Sequence, residues 1–210
     1  MKTMIALATS CLMVGGCASV TSFQTNMADI LTGKDTGIPS VKSTKAPTFN
    51  PDALSKLAVI VWRDSYDNRL ANGVDRSIED EFLAALLEKG YSIASRSDTE
   101  ATVKELSFQR DSGLTDRDAT KIGKFLNVSA ILIVSITEFK NQETYRGANS
   151  STIYTSRAAL GARLISVEKQ ELLWVSRGAH NRDVHGGPGG SEILGKVAKA
   201  MADSFPGRTP

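Results

Sequence analysis

Three short stretches carry side chains whose types and spacing could do chemistry. Asp64-Ser-Tyr-Asp-Asn-Arg69 gathers two carboxylates and an arginine in one polar loop after an apolar run, where open sheets often place ligand sites. The same residues also suit a plain turn, because Asp and Asn bond their own backbone and Arg69 can pair with Asp64 or Asp67. His180 and His185, the only two histidines, flank Asp183 at a spacing that could hold a metal. They sit in a glycine-rich stretch with no cysteine to complete a rigid ligand set, so they read as solvated loop residues. "GGSEILGKV" places Gly190, Gly195 and Lys196 at phosphate-loop spacing. Val197 stands where such a loop needs a hydroxyl for magnesium, and Ile193 and Leu194 stand where it needs exposed backbone. The stretch therefore reads as a loop entering an amphipathic helix. With no further histidine, no base for a serine nucleophile is evident. No catalytic residue, metal or cofactor is assigned, and the chain reads as a non-enzyme. Glu79, Asp80 and Glu81 read as the solvated face of a helix, and Trp62 and Trp174 as packing anchors.

The two cysteines belong to a different feature. Lys2 precedes an apolar stretch from Met4 to Val14, broken only by Thr9 and Ser10, which reads as a signal peptide. It is too short for a permanent bilayer helix, which needs roughly 20 residues. It ends in Val14-Gly15-Gly16-Cys17, which resembles the lipobox of bacterial lipoproteins. That resemblance implies cleavage between Gly16 and Cys17, loss of Cys11 with the signal, and acylation of the Cys17 thiol. No thiol then remains for a disulfide. The alternative is a secretory signal cleaved near Ala18 that leaves Cys17 as a stray residue. Ala18 after the cysteine, in place of Asp, implies sorting to the outer membrane of a Gram-negative cell, with the chain lipid-anchored on the periplasmic face.

The elements that must position these residues follow from hydrophobic patterning. In 210 residues, 41% are hydrophobic and 23% charged, which is the balance of a soluble globular protein with one core. A formal net charge of +2 gives no overall field that argues for nucleic acid or anionic lipid. "KLAVIVW" and "AILIVSITEF" are apolar, branched runs suited to strands buried on both faces. Val74, Ile78, Phe82 and Leu86 repeat every four residues and end at Gly90, a left-handed helix stop. "YSIASR" reads as a short strand, and a second helix opens at Ser97 or Asp98. Thr115 and Asp118 form a capping box for a third helix running to about Asn127. "TIYTSRAALGARLISV" and "ELLWVSRGAH" read as an antiparallel hairpin, and Ser191 caps a last helix carrying Ile193, Leu194, Val197 and Met201.

The expected fold is thus an α+β or α/β sandwich, with a mixed sheet of about four or five strands covered by about four helices. The expected organisation is a signal peptide at 1–16, a lipid-anchored flexible tether at 17–55, a folded domain at 56–204 and a frayed tail at 205–210. A tether of about 40 residues reaches at most roughly 130 Å.

The ordered set "KLAVIVWRDSYDNRLANGVDRSIEDEFLAALLEKGYSIASRSD", "VKEL", "SGLTDRDATKIGKFLNVSAILIVSITEF" and "RLISVEKQELLWVSRG" resembles the CsgG family of outer-membrane lipoproteins, the curli assembly and transport components. Arg96, Glu105, Ser112-Gly113-Leu114 and Lys121-Ile122-Gly123-Lys124 carry the resemblance, with Gly123 letting its helix pack closely. It implies a periplasmic domain related to the N-terminal domain of TolB. It also implies a role in secretion or assembly of a surface structure through protein–protein contacts, in the founding member as a homo-oligomeric pore. Spanning hairpins need strands of about 9 to 11 residues with alternating apolar faces. Lys140 to Arg157 is polar and Gly178 to Ser191 is short and glycine-rich, so no membrane barrel is expected and Cys17 is the expected membrane contact. The chain also resembles the LpoB-type lipoprotein activators of penicillin-binding proteins, whose domain opens with a strand and a D-S-x-x-N-R loop, as in Asp64 to Arg69 with one extra spacing allowed. Those activators carry long proline-rich tethers, and this one has few prolines. Under either resemblance Asp64, Asp67 and Arg69 are the candidate partner contacts.

Overall fold

Strand β2 (Lys56–Arg63) supplies apolar residues to both sides of a sheet. Leu57 and Val59 enter one core while Ala58 and Ile60 enter the other. The computed structural model describes residues 38–63, 73–106, 114–144, 153–185 and 190–208. Gly16 and Cys17, and the loop residues Asp64, Asp67 and Arg69, lie outside the described residues.

The elements run in chain order as β1 (Ser40–Lys45), a 3₁₀ turn (Pro51–Ala53), β2, α1 (Val74–Glu88), β3 (Ser92–Ile93), α2 (Arg96–Glu105), α3 (Asp116–Phe125), β4 (Ala130–Thr144), β5 (Ile153–Ser166), β6 (Leu172–His185) and α4 (Gly190–Asp203). The strands form one six-stranded sheet in the order β1-β6-β5-β4-β2-β3. β2 pairs parallel with β3 and β4, and the β4-β5-β6-β1 portion is antiparallel. A mixed sheet packed with four helices is an α+β fold, as the patterning predicts.

The helices sort to opposite faces. α1 and α4 close a core containing Leu132, Val134, Leu160, Leu164, Ile78, Phe82, Val197 and Met201. α2 and α3 close a smaller one containing Ile131, Ile133, Ile165, Ala119 and Ile122. Two close approaches depend on glycine. A Cβ on Gly123 of α3 would stand 2.2 Å from Val167 Cγ2, and one on Gly178 of β6 would stand 2.7 Å from Met201 and Val197 of α4. Helix ends match the expected stops. Gly90 closes α1 at φ 81°, and Thr115 and Asp118 make both bonds of the capping box of α3. α2 starts one step earlier than its sequence suggests, because the Ser95 hydroxyl, not Ser97 or Asp98, accepts from the Asp98 amide.

Two segments differ from the sequence expectation. Residues 40–45, expected within the tether, form β1 at the sheet edge, paired with β6 from Ser40 opposite Ala179 to Lys45 opposite Trp174. Ser43 fastens this strand to the body, its hydroxyl lying 2.9 Å from Ser176 Oγ and 2.7 Å from Ser204 Oγ. Phe205, expected within a frayed tail, is docked. Phe205 is 2% exposed and lies edge-on to Trp174, Tyr91 and Phe49 at centroid distances of 4.9, 5.5 and 6.3 Å. The Tyr91 hydroxyl donates to Pro206 O at 2.9 Å, and burial pushes its pKa up to about 12. Every element and both cores lie between Ser40 and Phe205, so a chain starting at Ala18 keeps the whole described body.

Candidate functional site

The D-S-Y-D-N-R loop leaves the sheet at the C-terminal end of β2, which runs parallel to β3 and β4. In open sheets this end is where loops meet ligands and partners. Its base is held from both sides. Arg63, the last residue of β2, donates from Nε to Asp75 Oδ1 at 3.2 Å and from Nη2 to Asp75 Oδ2 at 2.9 Å. Asp75 lies in the first turn of α1, where its charge also meets the positive end of the helix. Gly73 turns the returning chain into that helix at φ 94°, a conformation that favours glycine. The forked guanidinium-carboxylate pair thus closes the neck of the 64–72 segment. This neck was missed from sequence, where Arg69 was the arginine considered. The signal available was the acid one residue into the helix facing a cation at the strand end.

Beside this neck, Trp62 stands half-buried at the margin of the smaller core, and its indole N–H is buried with no hydrogen-bond partner among the described residues. Trp174, by contrast, is 2% exposed and packs in the aromatic group around Phe205.

The acidic run on α1 is not simply a solvated face. Arg96, at the first turn of α2, reaches across the β3 edge. Its Nε lies 2.8 Å from Glu79 Oε2 and its Nη2 bonds Asp80 Oδ1. The Glu79 side chain is 12% exposed. Burial raises its pKa above the ordinary carboxylate value, and the Arg96 guanidinium opposes that rise. The two helices on opposite faces are therefore tied together at the parallel edge. The guanidinium occupies both carboxylates, so this cluster holds structure and is not set up as an acid–base pair.

The histidine expectation is corrected. His180 is not a solvated loop residue. It belongs to β6, opposite Ala158, and is 5% exposed. His185 is the last residue of the same strand. Among the described residues no group of three or more His, Cys, Asp or Glu could hold a metal ion. The phosphate-loop spacing resolves into helix. Gly195 and Lys196 lie inside α4, Ile193 and Leu194 are 0% exposed, and Lys196 pairs with Glu192 at 2.9 Å.

Of the segments compared with membrane hairpins, residues 140–144, 153–157 and 178–185 continue the sheet, and 186–189 lie outside the described residues. Lys140 pairs with Arg157 in β4 and β5, and β6 extends to His185. The segment at 145–152 lies outside the described residues. No described helix is long and apolar enough to cross a membrane.

No family model matches the sequence, and no curated protein matches it. Solved structures to which the chain is similar include the PelC dodecamer from Paraburkholderia phytofirmans, at 14% identity over 79% of this chain and 96% of that one, with a TM-score of 0.44. Lipoprotein GNA1162 from Neisseria meningitidis is similar at 18% identity over 70% of this chain and 94% of that one, with a TM-score of 0.47. The LpoB C-terminal domain from Salmonella enterica is similar at 18% identity over 64% of this chain and 86% of that one, with a TM-score of 0.41. The CsgG expectation is corrected accordingly. Neither a family model nor a curated protein supports it, and the similar structures named here are PelC, GNA1162 and LpoB. The sequence resemblance lay in strand and helix patterning, which unrelated chains with one fold can share.

Proposed function

We propose that the chain is a lipid-anchored, non-enzymatic periplasmic module that binds a penicillin-binding synthase and regulates it. The observation that carries this reading is the neck of the Asp64–Arg69 loop. The bidentate Arg63–Asp75 pair joins the C-terminal end of β2 to the first turn of α1, the two elements between which the sequence puts the polar stretch that resembles the LpoB-type activators. In this reading Asp64, Asp67 and Arg69 meet the partner, and Cys17 carries the lipid.

The early start of the sheet constrains the geometry. Residues 18–39, 22 positions between Cys17 and β1, form the tether. Such a segment spans at most about 75 Å extended and about 26 Å as a flexible coil. The synthase must therefore present its regulatory surface close to the outer membrane, since this tether is not a long proline-rich spacer.

The test is copurification of the full-length protein from detergent extracts, with penicillin-binding proteins in the eluate revealed by labelled β-lactam. A labelled band is expected for the wild type. It should be lost in an Asp64→Ala, Asp67→Ala, Arg69→Ala variant, which keeps the Arg63–Asp75 neck. Absence of any labelled band with the wild type would sink the reading.

A further inference from the structure

The formal net charge of +2 conceals an uneven distribution. The apolar floor beneath α2 and α3, built from Ala58, Ile60, Ile131, Ile133 and Ile165, ends at β5. Farther along this face the register places Arg163 beside Val175, Arg177 between Gly161 and Lys42, and Arg157 between Lys140 and Asn181. Strand alternation sets these five cations on one side of the sheet, because their neighbours Ser43, Gly178, Leu164 and Phe139 turn to the α1 and α4 side. Three of the five are engaged, Lys140, Arg163 and Arg177. Glu138 lies 3.1 Å from Lys140, and Asp116 at the start of α3 lies 3.3 Å from Arg163. Lys42 and Arg157 are exposed and form no ion pair among the described residues. Between the cations stand the small residues Ala159, Gly161 and Ala179.

The strand that carries Lys42 is also where the chain enters the sheet. β1 begins at Ser40, 23 positions after Cys17, on the border of the cationic face. A basic face beside the strand where the chain enters the sheet matches the charge of an anionic bilayer surface. We propose that this face lies on the anionic headgroups of the membrane that holds the anchor. It would then act as a second attachment besides acylation, leaving the α1 and α4 side turned toward the periplasm. The orientation rests on the lipidation reading, whereas the affinity of the face does not.

The experiment uses the unacylated chain beginning at Ala18, sedimented with phosphatidylcholine vesicles that contain or lack phosphatidylglycerol. Binding is expected only to the anionic vesicles, and it should vanish in about 1 M salt, where the screening length is about 3 Å. Lys42→Gln with Arg157→Gln should weaken it about 25-fold, roughly fivefold per cation removed. Arg76→Gln with Lys199→Gln, two cations on α1 and α4, should leave it unchanged. Equal binding to both vesicle types, or equal weakening by both pairs of substitutions, overturns the proposal. So does failure to bind vesicles combined with binding of polyglutamate that the Lys42, Arg157 variant loses, which assigns the face to an acidic protein. Incorporation of radiolabelled palmitate into the full chain tests the anchor separately, so loss of either reading can be told from loss of the other.

Discussion

Phe205 offers the sharpest test of how the body is held together, because a residue five positions from the end of the sequence stands in its larger core. Its ring is 2% exposed and meets Trp174, Tyr91 and Phe49 edge-on. Phe205→Ala removes a fully buried aromatic side chain, a change that costs about 3 to 5 kcal/mol in well-packed cores. The upper part of that range applies, since three ring pairs are lost together and each contributes about 0.5 to 1.5 kcal/mol beyond area. A loss of about 4 kcal/mol is large against a total stability of about 5 to 15 kcal/mol. With a urea slope of about 2 kcal/mol/M, the unfolding midpoint should fall by about 2 M. The melting temperature should drop by roughly 8 to 16 °C at about 2 to 4 °C per kcal/mol. Phe205→Leu, which keeps most of the volume, should lose less than half as much. Urea unfolding followed by tryptophan fluorescence reads the effect directly, because Trp174 touches the ring. A midpoint shift below about 0.5 M for Phe205→Ala would mean that the chain end is frayed in solution, and the docked C-terminus would be wrong.

Three further consequences can be checked by the same unfolding measurement. Gly123→Ala should destabilise by about 1 to 3 kcal/mol, because its Cβ would overlap Val167 Cγ2 at 2.2 Å and force α3 off the sheet; neutrality would show that the helix floats there. Thr115→Ala should cost about 1 kcal/mol by removing the capping box of α3, and Thr115→Ser should restore most of it. Glu79 sets a pH dependence whose sign follows from its environment. Burial holds its folded pKa above the ordinary 4.5, so the native state binds this proton more readily than the unfolded chain. Its favourable contribution is complete below the unfolded pKa and is lost as pH rises through the folded value. Relative to wild type, Glu79→Gln should therefore gain stability as pH is raised from the acid side, and a difference that stays flat or runs the other way would refute the burial argument.

Much of the fold is written in local patterns. The branched runs at 57–60 and 131–134 become strands buried on both faces, and the four-residue spacing from Val74 to Leu86 becomes the buried side of α1. Gly123 was read as a close-packing residue, and its surroundings agree. What local pattern could not supply was pairing at a distance. β1 reads Ser-Val-Lys-Ser-Thr-Lys, with one partly buried apolar residue, and it joins the sheet through backbone bonds to β6 that leave no mark on composition. Phe205 follows the last helix in a stretch rich in glycine and proline, so its burial is decided by rings more than 100 positions earlier as well as by Trp174. The glycines from 186 onward suggest a loop that includes His180, whereas β6 continues to His185. Glu79 and Arg96 sit on different helices, and the ion pair between them arises only when both flank the β3 edge.

The central claim is regulation of a penicillin-binding synthase, and the rate of glycan-strand polymerisation by the purified synthase tests it most directly. Titrating in the chain that begins at Ala18 should raise that rate to a plateau. The Asp64, Asp67, Arg69 alanine variant should give no rise, and the Lys42, Arg157 variant should match the wild type. A rate that stays unchanged at saturating concentrations of folded wild-type protein would contradict the account.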